Sequence, residues 1–131
     1  MNSGVMLSVL RIVTGLLFLE HGLQKLIGFP AALDPSRIPP LNTLPGIAGY
    51  FELGCGLLIA IGLFTRVAAF LAAGTMAVAY FYAHFPNNFF PVNNMGDAAI
   101  LYCFIFLYLV FAGAGPWSVD AVRTRPAPPS N

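Results

Sequence analysis

Within the stretch FLEHGLQKLIGF, Phe18 to Phe29, an otherwise apolar run carries a carboxylate, an imidazole, an amide and an amine: Glu20, His21, Gln24 and Lys25. Further along the chain stand Glu52, His84 and Asp97, and a cluster of asparagines, Asn87, Asn88, Asn93 and Asn94. Carboxylates and imidazoles exchange protons near neutral pH, and an ammonium or amide group donates hydrogen bonds to a ligand oxygen. Glu20, Glu52, His84 and Asp97 are therefore the candidates for a catalytic, proton-handling role. His21, Gln24, Lys25, Asn88 and Arg66 are the candidates for binding a substrate. No cysteine pair or histidine cluster has the spacing of a metal site, and Cys55 and Cys103 lie apart within apolar runs.

The elements that must position these groups are membrane spans. The chain has 131 residues, 58% hydrophobic and only 8% charged, against roughly 25% charged for a soluble globular domain. So few charges cannot clothe a water-exposed surface. A net charge of +1 offers no basic footprint for nucleic acid. About 20 apolar residues cross a bilayer core of about 30 Å, and four such segments are expected, near residues 5–28, 44–64, 67–85 and 97–115. The expected fold is an all-α integral membrane four-helix bundle over residues 1–115, with a polar, proline-rich tail over 116–131 whose end is disordered. The first run lacks a charged leader and a small-residue cleavage site, so it reads as a retained span. Phe29 to Thr43 and Pro86 to Gly96 read as loops, and Thr65–Arg66 as a tight turn between the second and third spans.

Lysine and arginine bias orients a membrane protein. Arg66, Arg123 and Arg125, with Arg11 near them, fall on the side of both termini, which is expected to be cytoplasmic; Arg11 and Arg66 read as topology residues, and Trp117 as an interfacial anchor. On the opposite side, Glu20 lies eight residues before the end of the first span and Glu52 eight residues into the second, each about 12 Å deep at 1.5 Å per residue. His84 closes the third span there and Asp97 opens the fourth. Polar groups from four spans thus converge on one depth. An ionised side chain in the bilayer interior costs about 2.5–3.5 kcal/mol or more, which favours a functional reading. Plainer roles stand beside it: Lys25 snorkelling to the headgroups, Asp97 as a helix cap, an ion pair between a buried carboxylate and Lys25. Glu52 and His84, on the two arms of the hairpin, are placed to meet through one water. Gly49, Gly56 and Ala60 form a small-residue stripe for close helix packing, with Glu52 beside it.

Three stretches, LRIVTGLLFLEHGLQKLIGF, GYFELGCGLLIAIGLFTRVAAFLAA and YFYAHFPNNFFPVNNMGDAAILY, resemble the DoxX family of small bacterial membrane proteins. The spacings HGxxKL, ExxxGLxxxxGLxTR and AHxxxxFF followed by GD carry the likeness. The resemblance implies a four-helix bundle in the bacterial inner membrane and a place in redox systems, since named members are associated with quinol oxidation and with thiosulfate:quinone oxidoreduction. It carries polar positions onto His21, Lys25, Glu52, Arg66, His84 and Asp97, the last a departure because glutamate is commoner there. The expected function is a membrane redox component handling a quinone or a small reduced sulfur compound. No haem or iron–sulfur signature accompanies the two histidines, so electrons are expected from a redox partner or from the substrate. A non-catalytic scaffold, and a proton or small-molecule transporter or channel requiring a homo-oligomer, remain open alternatives.

The orientation has a direct test. A reporter active only in the periplasm is expected to be silent when fused after Asn131 and active when inserted near Asp34; the reverse pattern turns the bundle over.

Overall fold

The computed structural model describes residues 2–124 and 129–130, and every regular element among them is helical. Four apolar helices form the body: α1 (Ser3–Ile27), α2 (Leu44–Ile61), α3 (Thr65–Ala79) and α5 (Asp97–Ala112). Two short helices, α4 (Pro91–Asn94) and α6 (Val119–Arg123), lie at opposite ends of the bundle. Their signals are local. The Asn2 side chain accepts the Val5 N–H to open α1, and Thr43 caps α2 with Pro45 in its first turn. Gly28 and Gly62, both left-handed, end α1 and α2. α3 does not stop at Ala79: it widens into a π turn, Tyr80–His84, and a 3-10 turn, Phe85–Asn87.

α1, α2 and the continuous run Thr65–Asn87 are each long and apolar enough to cross a membrane. α5 has 16 residues, about 24 Å at 1.5 Å per residue, and its outward Leu101, Phe104, Tyr108 and Phe111 match the apolar outer faces of the others. The chain is an integral membrane helical bundle.

The four helices assemble as two tight pairs. α1 packs along α2 so closely that a methyl group on Gly22 would lie 2.5 Å from the Leu53 backbone nitrogen, and one on Gly56 2.8 Å from the Leu19 backbone. The small-residue stripe on α2 does receive a neighbouring helix, as its spacing suggests. α3 lies between α2 and α5, with Ala68, Ala69, Ala72 and Ala73 all buried. α1 and α5 meet mainly through rings: Phe18 stands 4.8 Å from Phe106 and 5.6 Å from Tyr102, centroid to centroid.

At the end of the bundle that holds the termini, polar side chains tie the helix ends together. Arg11, expected to reach toward headgroups, is instead fully buried, at 0% exposure. Its guanidinium donates to Ile59 O and Ala60 O, both at 2.8 Å, to Ala114 O at 2.7 Å and to Trp117 O. Two of these are last-turn carbonyls of α2, where the regular helical pattern of donors runs out. Arg66 caps α5 in the same way, donating to Val110 O and Phe111 O at 2.7 Å. The turn between α2 and α3 is Gly62–Phe64, slightly earlier than expected, with Thr65 and Arg66 already helical. Its position is set from a distance: the Asp120 carboxylate accepts the Phe64 and Thr65 N–H groups at 2.8 and 2.9 Å. Partial burial alone would raise the Asp120 pKa, but these two N–H donors and the nearby Arg123 guanidinium outweigh it and hold the carboxyl below its ordinary value. The first part of the expected tail is therefore folded onto the bundle through α6. The disorder expected for its end concerns residues 125–128 and 131, which lie outside the described residues, as does Arg125.

Removing the Arg11 fork would take a donor from four carbonyls, two in buried and two in half-buried contacts, at about 1–3 kcal/mol for each one left unsatisfied. Arg11→Met is expected to lower the melting midpoint of the detergent-purified protein by about 10 °C or more, with Arg11→Lys recovering only part. A midpoint within error of wild type for Arg11→Met would show that the clasp contributes nothing.

Candidate functional site

At the opposite end, the two helix pairs separate and enclose a cavity of about 530 Å³. On α1 the residues Phe18, His21 and Lys25, spaced three and four apart, present one face to it. α2 contributes Glu52, the final turn of α3 contributes Tyr82 and His84, and α5 contributes Tyr102. The remaining wall is largely apolar.

The central contact is an ion pair. Lys25 Nζ lies 2.7 Å from Glu52 Oε1 and also donates to Pro45 O at 3.2 Å. Glu52 is only 3% exposed, while the Lys25 side chain is 19% exposed on the cavity side. Glu52 Oε2 is buried and has no hydrogen-bond partner among the described residues. This oxygen is the unspent hydrogen-bonding capacity of the site, since a buried polar atom left unpaired is costly.

His84 owes its place to the π turn, which breaks the regular helical step just before the loop. Its Nδ1 lies 2.9 Å from Asn94 O. A carbonyl oxygen only accepts, so Nδ1 carries a proton and, in the neutral ring, Nε2 is an acceptor. The ring stacks on Tyr80 at 6.3 Å. Asn94, 3% exposed, organises this cap: its amide donates to Tyr80 Oη and Asn88 O, and its Oδ1 accepts the Gly96 N–H at 2.8 Å. His21 meets the Tyr102 ring edge-on, with centroids 6.2 Å apart.

The structure brings together His21, Lys25, Glu52 and His84 from the candidate set and leaves the others outside the cavity wall. Glu20 is exposed and does not line the cavity. Gln24 secures the following loop, donating to Pro30 O at 3.0 Å. Asn88 makes a local turn, accepting the Phe90 N–H. Asp97 is exposed in the first turn of α5, where a carboxylate complements the helix dipole. Arg66 caps α5 at the far end of the molecule. Nor do Glu52 and His84 bond to each other: the carboxylate engages Lys25 and the imidazole engages Asn94. Tyr102 and Tyr82 were not legible as lining residues. The hydrophobicity of α5 is spread evenly around its axis, so no face stands out, and Tyr82 sits where the π turn upsets helical periodicity.

A family model described as DoxX matches residues 6–85, covering α1, α2 and α3 to just beyond His84. A protein of Haemophilus influenzae, named only as uncharacterized, is 40% identical over 117 residues, covering 87% of each chain. An uncharacterized membrane protein of Mycobacterium tuberculosis is 33% identical over 126 residues, covering 85% of this chain and 77% of its own. No solved structure matches the chain.

Breaking a buried pair strands the surviving charge, whereas removing both partners does not. Lys25→Met alone should therefore destabilise the protein more than the double variant Lys25→Met/Glu52→Gln, by about 1 kcal/mol or more of coupling. Strictly additive shifts in melting midpoint would show that the two side chains are energetically independent.

Proposed function

The chain belongs to the DoxX family, and on that premise we propose that it is an integral component of a membrane redox system that handles a quinone or a small reduced sulfur compound in the cavity beside Glu52. The observation that supports this reading is the convergence of Lys25, Glu52, His21 and His84 on one largely apolar cavity within the bundle. The proposed setting is the bacterial inner membrane, with both termini cytoplasmic and the cavity in the outer half of the bilayer.

Reduction of a quinone to a quinol takes up two electrons and two protons. The electrons come from a partner protein or from oxidation of the sulfur compound. This chain supplies the hydrogen-bonding and proton-transfer groups. Lys25 Nζ donates toward a ligand carbonyl while Glu52 holds it in place, and the neutral His84 ring accepts from a hydroxyl at Nε2. In the direction of quinol oxidation His84 takes up that proton. Glu52 is positioned to exchange a proton with Lys25 across their 2.7 Å contact.

An assembly role is favoured by a separate observation. Glu20 lies exposed on an outer face of α1 shared with the apolar Val13, Leu16 and Leu17. Lipid tails offer a carboxyl group no hydrogen bond. A redox partner or a second copy of this chain seated on α1 would supply one.

Purified wild-type protein is expected to retain a quinone in its organic extract and to bind added quinone, with Glu52→Gln and His84→Asn each weakening binding by about tenfold, the first by releasing Lys25 and the second by removing a polar contact to the ligand. An extract free of quinone, together with no binding of added quinone, would leave the sulfur compound as the ligand to test and remove the quinone from this reading.

A further inference from the structure

The cavity is not walled evenly. Between α1 and α5 it is lined by rings: Tyr102 lies nearly parallel to Phe106 at 5.7 Å, Phe18 packs against both, and His21 abuts Tyr102. Between α1 and α2 it is closed by the glycine-mediated backbone contact. Between α2 and α3, which are joined by the Gly62–Phe64 turn at the far end, no ring pair or glycine-mediated backbone contact bridges the helices among the described residues. The residues on the facing flanks belong to the cavity wall and to the outer surface at once: Ile47 and Phe51 on α2 are each 43% exposed, and Val78 and Tyr82 on α3 are 52% and 56% exposed. Beside them on α3, Gly74 lines the same cavity, and a methyl group there would meet no atom within 4 Å. Gly74 and Val78 lie near the middle of the Thr65–Asn87 span, where an exposed position faces hydrocarbon, so the gap opens onto the bilayer.

We propose that the gap between α2 and α3 is a lateral portal through which the ligand enters from the bilayer, so that the substrate is a membrane-dissolved amphiphile: a polar head that reaches Lys25, and an apolar chain that stays in the portal between Ile47, Phe51, Gly74 and Val78. The proposal rests on the reading that this cavity takes a ligand, and it selects among ligands by physical state. The gradation of the wall matches such a molecule. Lys25, held by Glu52 and with its side chain 19% exposed, offers a donor to a head group. The open side is lined by apolar side chains of the kind that accept an alkyl chain. A small water-soluble anion would gain nothing from that open side. The absence of a side chain at Gly74 keeps the passage wide where the chain must pass.

The entry route can be measured without knowing the ligand. In a variant carrying Cys55→Ala and Cys103→Ala, a single thiol is placed on the cavity wall by Ala79→Cys, and the protein is reconstituted in vesicles. Its labelling by N-dodecylmaleimide, dissolved in the membrane, is compared with labelling by a sulfonated, membrane-impermeant maleimide present on both sides. The alkyl reagent is expected to react about tenfold faster or more, and Gly74→Trp is expected to slow it by a similar factor with little change in melting midpoint, because the indole occupies open space in the portal. Ile47→Trp, which narrows the gap from the α2 side, serves as a second block should Gly74→Trp fold poorly. Labelling by the sulfonated reagent at an equal or greater rate, no labelling by either reagent, or alkyl labelling unaffected by both tryptophans each overturns the portal. Portal-dependent labelling in a protein that binds no quinone keeps the lipophilic substrate class and discards the quinone reading, so the two failures are told apart.

Discussion

In a bilayer a backbone carbonyl that loses its helical partner finds no water to replace it, and the buried guanidinium of Arg11 answers that constraint for this molecule. Its donors gather the last-turn carbonyls of α2 and the backbone between α5 and α6 onto one side chain of α1. Arg66 does the same for the end of α5, and Asp120 supplies acceptors to the opening amides of α3. The ends of α2 and α5 and the start of α3 at this pole are thus each tied to a residue distant in sequence, and the cavity lies at the other pole.

That division explains why the cavity exists. Glycines bring α1 and α2 into backbone contact, and alanines let α3 nest between α2 and α5. α1 and α5, by contrast, are held apart by Phe18, Tyr102 and Phe106. Two close pairs clamped at one end and spaced by rings in the middle diverge at the other end, and the space between them is the site. The Lys25–Glu52 pair spans the closely packed α1–α2 seam at the cavity wall. Its desolvation cost is met in part by the Pro45 carbonyl and by the residual exposure of the lysine. On the other side, the knot around Asn94 holds His84 and the loop before α5 in register.

The family match ends at residue 85, just after His84. The portion that matches thus contains His21, Lys25, Glu52 and His84, the groups that meet in the cavity, and also the two arginines, Arg11 and Arg66, that build the opposite pole. Asp97, the departure noted in the sequence, falls beyond it and stands outside the cavity wall.

The class of the molecule and the approximate placement of its long helices were legible in the sequence. Apolar runs of membrane length, the glycine C-caps at Gly28 and Gly62, and the Asn2 and Thr43 N-caps are local properties, set by hydrophobicity and backbone chemistry within a few residues. The small-residue stripe of α2 and the inward placement of Glu52 were likewise legible, because a helix's 3.6-residue period converts spacing into faces. Which polar residue meets which was decided only by the tertiary structure. Glu20 and Glu52 read alike at matched depths, yet α1 turns one outward and α2 turns the other onto Lys25, since the rotation of each helix follows from where its glycines and rings find partners. Arg11 looked like a headgroup anchor because its acceptors come from α2 and from the segment after α5, 48 to 106 residues away. The tail beyond Gly115 looked merely polar because its purpose, capping α3 through Asp120, exists only once the chain has returned to its starting end. His84 took its place through a π turn, a break in periodicity that the spacing of apolar residues does not encode.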